Sequence, residues 1–522
     1  MVGVRKPMSV SVISASGTSG MTTTGYTIIR NGLVLDPQGA RVAPADLLVN
    51  GDTICEVGGH GLAAPDGART IDAADRIIMP GMVNGHTHGH GGLAKGLVED
   101  RWTLELYLNS APGLNGGRTL EDKYLTAQIG AAEMALKGCT ACYDLYFEFP
   151  MPTAEGMAAA AQAYQDVGLR AVLAPMVADH SLYQALPGLL DAIPSALRPL
   201  TEQFMLAPRE ATVKSMRKIF AGWSGDRDMV RPAVAPTIPL HCSDAFLTDC
   251  RDLAREFGLM VQTHLAESKT QAVLGQRKYG KSLTAHLADL GLLSDRLSVA
   301  HGIWIDADDV KRLADAGSSL VHNPLSNLRL GSGLACVRPM LESGLNVGIG
   351  TDASCTSDAM NMFESARLAS YISRVQTEDS QQWLTAGEVL GMATAGSAKA
   401  LGFGDKIGQL APGYKADIVF LDMGSFNYVP LNDPMRQVAF SENGAAVSMV
   451  MVGGRVIVEN GRLVTVDQDK LRRDAQAASE RLRGVNRDRR ALTRQFEEVV
   501  ATFCIGLSRA PFPLHRLAGC SH

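Results

Sequence analysis

The sequence predicts an α/β protein: a (β/α)8 barrel of the TIM type with a second, smaller β-sandwich domain built from both chain ends. Three observations predict it. Eight short apolar segments between residues 76 and 352 alternate with helical patterns, as parallel strands with crossover helices do. Glycine-punctuated β-rich runs flank this middle on both sides. Five of the eight segments end in histidine or aspartate, so one end of the expected barrel collects metal-competent side chains.

The elements follow in order. "YTIIRNGLVLD" and "ADLLVNGDTICEVG" carry Asn31-Gly32 and Asn50-Gly51, and Asn-Gly between apolar runs is a hairpin signal. The same texture returns in "ADIVFLD" and "VSMVMVGGRVIVENGRLV", with Gly453-Gly454 and Asn460-Gly461. The barrel strands are expected at 76–88, 138–146, 169–177, 230–236, 259–264, 297–301, 318–322 and 345–352. Between them, "TLEDKYLTAQIGAAEMALKG" has Thr119 as N-cap, Asp122 three residues on and Gly138 as stop. "DADDVKRLADAG" starts at the cap Asp306 and ends at Gly317. After Asp467 the chain reads as one polar, charged helix, then a loose tail from about Ser508. The expected organisation is a disordered extension at 1–25, a composite β-sandwich from 26–80 and 406–466, the barrel at 81–405, and a C-terminal helix and tail at 467–522.

The composition narrows the function. The 522 residues are 46% hydrophobic and 20% charged, ordinary for a soluble globular chain with a sizeable core. The net charge of −5, without a basic run, argues against nucleic acid and anionic membrane as partners. Nine scattered cysteines, an odd number, read as reduced thiols in the cytoplasm. No run approaches the roughly 18 apolar residues of a membrane span. Arg5 and Lys6 ahead of "MSVSVISASG" faintly resemble a signal peptide, but the apolar part is short and broken by serines; Met21 directly precedes the first ordered pattern. The expected partners are a small-molecule substrate and further copies of the chain, in a dimer or tetramer.

"MPGMVNGHTHGHGG" holds His86, His88 and His90 in five residues. A lone H-x-H is a weak metal signal. In a barrel, however, all strand C-termini share one face. His86 and His88 close the first strand, His264 the fifth, His301 the sixth, His322 the seventh and Asp352 the eighth. The period of two puts both imidazoles of H-x-H on one side of a strand.

Together "PGMVNGHTH", "THLAES", "AHGIWID", "VHNPLSNLRLGSG" and "GIGTDAS" resemble the amidohydrolase superfamily, in its cytosine/guanine/adenosylhomocysteine deaminase and triazine hydrolase branch. The resemblance runs from about Tyr26 to Val466. It implies His86, His88, His264 and Asp352 as metal ligands, and Glu267 and His301 as acid/base and polarising groups. The chemistry of the residues agrees. Three neutral imidazoles and a carboxylate suit one Zn²⁺, or Fe²⁺, with a position left for water. Such a metal lowers the water's pKa to about 7. Asp352 can both bind the metal and accept the water's proton. Glu267 can pass a proton to a ring nitrogen and then to the leaving group. His301 can hydrogen-bond the attacking oxygen. Binuclear relatives bridge two metals with a lysine ending the fourth strand; "VRPAVAPTIPLH" has none, so one metal is expected. His90, Trp102, Tyr107, His241, His322, Asn323 and Asn327 are candidate substrate contacts. The chain departs from the commonest family pattern at Ala353, where glycine is usual, and at Thr356-Ser357, where Ser-Asn is usual.

Rival motifs are present. "GQRKYGKS" at 275–282 satisfies G-x-x-x-x-G-K-[ST], and "IVFLD" could serve as its acidic partner, so a P-loop nucleotide hydrolase is the distant alternative. The segment before it reads as helix, though, and its middle residues are bulky. "GIGTDA" fits a dinucleotide fingerprint, but Asp352 is better used as a ligand. Cys139-x-x-Cys142 reads as strand core, and the H-x-E…P-C-x-x-C signature of the other zinc deaminase fold is absent. The expectation is a metal-dependent hydrolase of a non-peptide C–N bond, most simply deaminating a nitrogen heterocycle. The alternative is displacement of halide or alkylamine, or cleavage of an amide or urea, by the same machinery.

Overall fold

The structure is a computed structural model that describes residues 25–517. The extension expected at 1–25 therefore lies, apart from Gly25, outside the described residues, as does the end of the C-terminal tail. From the N-terminal side come β1 (Tyr26–Asp36), β2 (Arg41–Asn50), β3 (Thr53–Gly58), β4 (Arg69–Asp72) and β5 (Arg76–Pro80). The middle supplies β6 (Met82–His88), β7 (Cys139–Phe147), β8 (Arg170–Val177), β9 (Val230–Pro232), β10 (Ala235–Pro236), β11 (Val261–Leu265), β12 (Leu297–His301), β13 (Ser319–His322), β14 (Asn346–Ile349) and β15 (Asp352–Ala353). The C-terminal part adds β16 (Ile418–Asp422), β17 (Val447–Val452), β18 (Arg455–Glu459) and β19 (Arg462–Leu463).

The two ends of the chain share one nine-stranded sheet, ordered β19-β18-β17-β16-β5-β1-β2-β3, with β4 beside β1. They meet where β5 pairs antiparallel with β16, Ile78 against Phe420. The sheet encloses an apolar core of its own that includes Ile29, Leu47, Ile54, Ile78, Ile418 and Phe420. Its far edge returns to the stretch before β16, where Ile54 donates to the Tyr414 carbonyl at 2.8 Å and Ala416 to that of Asp52 at 2.7 Å. Asn50-Gly51, Gly453-Gly454 and Asn460-Gly461 turn hairpins. Asn31-Gly32 does not: it lies inside β1, where Asn31 has φ +65° and the register against β2 shifts. A positive φ serves a bulge as well as a turn, and the dipeptide does not tell them apart.

The segment 76–88 is two strands, not one. The chain leaves the nine-stranded sheet at Pro80 and enters a parallel sheet at Met82. Gly81 between them faces Thr140 so closely that a Cβ there would stand 2.1 Å from its Oγ1. The middle strands form two parallel sheets, β10-β8-β7-β6-β15 with β9 beside β8, and β11-β12-β13-β14. A parallel bridge, Val234 to Val261, joins them at one edge, and at the other β15 pairs with β6 two residues after β14 ends. The expected single eight-stranded sheet is thus interrupted twice. Pro232 and Pro236 have no N–H to donate, which breaks the fourth segment into β9 and β10. In the eighth, Gly350 lies against the backbone of His86, where a Cβ would come within 2.8 Å of the His86 nitrogen.

The bidentate pair of Arg170 with Asp417, 3.0 Å at both contacts and buried, ties β8 to the approach to β16. Removing one partner of such a pair costs about 3–5 kcal/mol, because the other charge is left buried alone. The expected capping box forms: Thr119 and Asp122 satisfy each other at the start of the helix Leu120–Leu136. After Asp467 there are two helices, Gln468–Val485 and Arg487–Ser508, because buried Asn486 breaks the run to donate to the Gly116 carbonyl at 2.9 Å. The Walker-like segment is no phosphate loop. Gly275 to Tyr279 lie inside the helix Lys269–Tyr279, and Lys281 pairs with Asp289 on the surface.

Candidate metal centre

β6 is buried along its whole length, and its last residues bring His86 and His88 to one place. Asn84 bolts β6 to the chain before β15: it donates to Thr351 Oγ1 at 2.7 Å and accepts from the Thr351 amide at 3.0 Å. That brings Asp352 beside the histidines, with Oδ1 3.1 Å from His88 Nε2 and 3.7 Å from His86 Nε2. His264 from β11 closes the group, its Nε2 3.1 Å from that of His88. The donor atoms of His86, His88 and His264 all lie within 4.8 Å of one another, as do those of His86, His301 and Asp352.

Each ring is held from behind at Nδ1. His88 meets the Leu145 carbonyl at 2.9 Å, and His264 that of Thr237 at 2.6 Å. A carbonyl only accepts, so both Nδ1 atoms carry hydrogen and both Nε2 atoms turn to the centre. His86 Nδ1 lies 2.7 Å from Gln262 Oε1, and His301 Nδ1 lies 2.8 Å from Asn327 Oδ1. The Gln262 amide is oriented by donating to Gly85 O at 3.1 Å and to Ser298 Oγ at 2.7 Å. Such outer partners set the tautomer and aim of metal-binding imidazoles.

The donor set fits a divalent metal. The Nε2 atoms of His86 and His301 are buried without a hydrogen-bond partner. Two imidazole nitrogens and a carboxylate oxygen converge at 3.1 Å around His88, which requires positive charge among them. The charges say the same. Burial drives His86 down to about 3 and His264 well below its ordinary value, so both rings are neutral. Burial also opposes charge on His88, but the hydrogen-bonded Asp352 carboxylate outweighs it and favours a positive charge there. Nitrogen and oxygen donors of this kind suit Zn²⁺.

Glu267 follows β11 and is buried, with Oε1 unpartnered and Oε2 3.6 Å from His301 Nε2. Burial, with the nearby carboxylates of Asp352 and Glu105, pushes its carboxyl well above the usual range and favours the protonated form. His301 is buried, and its ring is held below the ordinary value by desolvation. With Nδ1 donating to Asn327, its Nε2 is an acceptor.

A cavity of about 420 Å³ opens from these groups. His88, His264, Glu267 and Asp352 line its inner end, and Tyr107, Phe147, Tyr183 and Phe204 are among its aromatic walls. Of the candidate substrate contacts, His90, Tyr107 and His241 line it. Trp102 instead packs in an apolar cluster with Val98, Leu330 and Cys355. His322, Asn323 and Asn327 stand behind the centre, where Asn327 and Asn323 face His301 Nδ1. Sequence reasoning missed Gln262, which sits two residues before His264; a glutamine on the same strand face as a ligand was the available signal. It also missed Ser326, which donates to Asp352 Oδ2 at 2.6 Å, and the cavity-lining Arg118.

Residues 77–457 match the Amidohydrolase family. The chain is 30% identical over 444 residues to a 5-methylthioadenosine/S-adenosylhomocysteine deaminase of Pyrococcus abyssi, covering 85% of this chain and 96% of the relative. It is 31% identical over 406 residues to a 5'-deoxyadenosine deaminase of Methanopyrus kandleri, covering 78% and 86%. Among solved structures, a zinc-bound adenosine deaminase of Xanthomonas campestris superposes with a TM-score of 0.76 at 27% identity, covering 88% of this chain and 98% of the other. A zinc complex of an atrazine chlorohydrolase of Arthrobacter aurescens gives 0.77 at 26%, covering 87% and 100%.

Proposed function

The chain belongs to the amidohydrolase family and is a metal-dependent deaminase, and from that premise we propose that it hydrolyses the exocyclic amino group of an adenine nucleoside. The observation that carries this reading is Glu267, a carboxyl kept protonated by burial beside His301 and Asp352 at the end of a nucleoside-sized cavity. Ammonia leaves a purine carbon only when the amino group is protonated, so a deaminase needs such an acid. We read the two parallel sheets as arcs of one (β/α)8 barrel at 81–405, with 26–80 and 406–466 as the composite sandwich and 467–522 as an appended helical part.

In this reading His86, His88, His264 and Asp352 would hold one zinc ion, with His301 beside it. When bound, the metal acidifies a water molecule so that it is nucleophilic at neutral pH. The residues divide the rest of the work. Neutral His301, fixed by Asn327, accepts a hydrogen bond from the attacking water at Nε2 and aims it. Asp352, whose Oδ2 accepts from Ser326, takes the proton that the water gives up. Glu267 gives its proton to the ring nitrogen next to the reacting carbon, regains one from Asp352 and passes it to the amino group as the C–N bond breaks and ammonia leaves; the hydroxyl proton of the attacked carbon, released as the carbonyl forms, restores Glu267. The aromatic walls hold the purine and exclude bulk water.

The purified zinc-loaded enzyme should release ammonia from 5'-methylthioadenosine, 5'-deoxyadenosine, S-adenosylhomocysteine or adenosine, with the inosine product visible by its ultraviolet shift. Chloride release from atrazine with no ammonia from any adenosine derivative would replace this reading by the triazine one, which the likeness to the chlorohydrolase structure favours.

A further inference from the structure

The family match ends at residue 457, yet the helix Arg487–Ser508 reaches the cavity. It lies along the helix Leu104–Asn115, where Asn109 donates to the Thr493 carbonyl at 3.0 Å and Arg490 to that of Gly113 at 3.2 Å. The glycines at the end of that helix and just after it are needed for a steric reason. A Cβ on Gly113 would stand 2.9 Å from Arg490 Cγ, one on Gly116 2.1 Å from Arg489 Nη1, and one on Gly117 2.5 Å from Val485 Cγ1. Close docking of the helix delivers Arg489 to the cavity wall, which Arg118 also lines.

The charges on that wall do not balance. Arg118 donates to the His90 carbonyl and to Asn115 Oδ1, both neutral, and its Nε has no partner. Among the described residues neither Arg118 nor Arg489 has a carboxylate within ion-pair distance. Of the arginines around them, Arg481 pairs with Asp122, Arg487 with Asp488 and Arg494 with Glu99, while Arg490 is held by the Gly113 carbonyl and does not line the cavity. The third cavity cation, Lys123, is neutralised by Glu148. The remaining cavity carboxyls, Glu267 and Asp352, face the histidines, Glu267 towards His301 and Asp352 towards His88. Both arginines are partly buried at this wall, Arg118 with its Nε fully buried and unpartnered, so an anionic ligand would supply the counter-charge they lack. The planar fork of a guanidinium is shaped for the oxygens of a carboxylate or phosphate.

We propose that the helix Arg487–Ser508 is part of the substrate site, and that Arg489 together with Arg118 selects nucleosides that carry an anionic group, a carboxylate or a phosphate. The proposal rests on the deaminase reading for the nucleoside, but not for the anion.

The test compares matched pairs on the full-length zinc enzyme. In the carboxylate arm S-(5'-adenosyl)-3-thiopropionate is set against 5'-propylthioadenosine; in the phosphate arm adenosine 5'-monophosphate is set against adenosine. The readout is the anionic-to-neutral ratio of kcat/KM. It should exceed one in the wild type in at least one arm, and that arm names the anion. It should fall about 10–100-fold in Arg489→Met, the worth of a charged hydrogen bond, and recover in part in Arg489→Lys. It should also fall as salt is raised to about 0.5 M, and stay at the wild-type value in Arg494→Gln, whose residue pairs with Glu99. Equal ratios in the wild type and Arg489→Met, at unchanged metal content and melting temperature, would overturn the proposal. If no arm releases ammonia, the deaminase reading fails, and calorimetric binding of the same pairs still decides. Preference for the anion that Arg489→Met abolishes upholds the anion site, and equal affinity refutes it.

Discussion

Gln262→Met isolates the role of the group behind the metal centre. Gln262 Oε1 fixes hydrogen on His86 Nδ1 at 2.7 Å, while its Nε2 donates to Gly85 O and Ser298 Oγ. Methionine has a similar volume and fills the space, but it offers no comparable acceptor. The His86 ring can then carry its hydrogen on Nε2, the atom the metal needs bare. Loss of such a partner lowers metal affinity about 10–100-fold, or roughly 1.4–2.7 kcal/mol. The buried Gly85 carbonyl and His86 Nδ1 are also left unpaired, for about 1–3 kcal/mol of stability each. Gln262→Glu separates the effects. It keeps an acceptor for His86 and one for the Ser298 hydroxyl and strands only Gly85 O, so zinc affinity should stay close to wild type while stability still falls. Zinc affinity is measured by competition with a fluorescent chelator, and activity of the methionine variant should return with excess zinc. Wild-type affinity in Gln262→Met would refute the reasoning. Equal losses in both variants would assign the effect to general disruption of the strand, not to the tautomer of His86.

Two further outcomes follow from the titrating groups. Glu267→Gln should keep its zinc and lose about 10²–10⁴ in kcat. Because burial holds Glu267 in its acid form, wild-type kcat should decline as pH rises through its raised pKa, and a variant with residual activity that keeps the same alkaline decline would rule Glu267 out as the acid. Asp309, raised by burial to about 6 although Ser282 donates to it, binds its proton more tightly folded than unfolded. Its contribution to stability is therefore full below about pH 4 and is lost as pH rises through about 6. The melting temperature of Asp309→Asn should fall less than that of wild type across this window; parallel curves would show that the raised pKa is not there.

The ligand-type residues were legible because strand ends are. A strand of period two that stops in histidine puts a donor on a known face, and parallel strands put their ends together. The groups that aim those donors were not legible. Gln262 lies 176 positions from His86, and the carbonyl that orients His88 is that of Leu145, a residue whose side chain says nothing about it. His322, Asn323 and Asn327 read as pocket residues for the same reason that Gln262 was passed over: sequence marks a polar residue near a strand end, but not whether it stands before the metal or behind it. In the fold, prolines at 232 and 236 betray the interruption of the fourth segment, whereas nothing local marks Asn31-Gly32 as a bulge.

The backbone at the site explains why so many donors can share one place. Ala266, His301 and Asp352 have φ of +45°, +72° and +64°. Left-handed backbone without glycine costs about 1–3 kcal/mol per residue, and it persists only where neighbours enforce it. They do so here. Gly302 donates to Leu265 O at 3.0 Å and Trp304 to Ala266 O at 3.0 Å, while Thr87 Oγ1 donates to Asp352 O at 3.0 Å. All three residues sit where a parallel strand ends or begins, so the ladder next door grips the backbone on one side of the strained residue. A strand continued in regular geometry would alternate its side chains across the sheet, and Leu265, His301 and Glu267 would lie in different settings. The left-handed turn at Ala266 lets the chain double back, so that Glu267, three residues after His264, approaches His301. The strained turns and the unpartnered Nε2 atoms thus have one cause: the ends of β11, β12 and β15 are bent to gather groups that repel one another until a cation and a substrate join them.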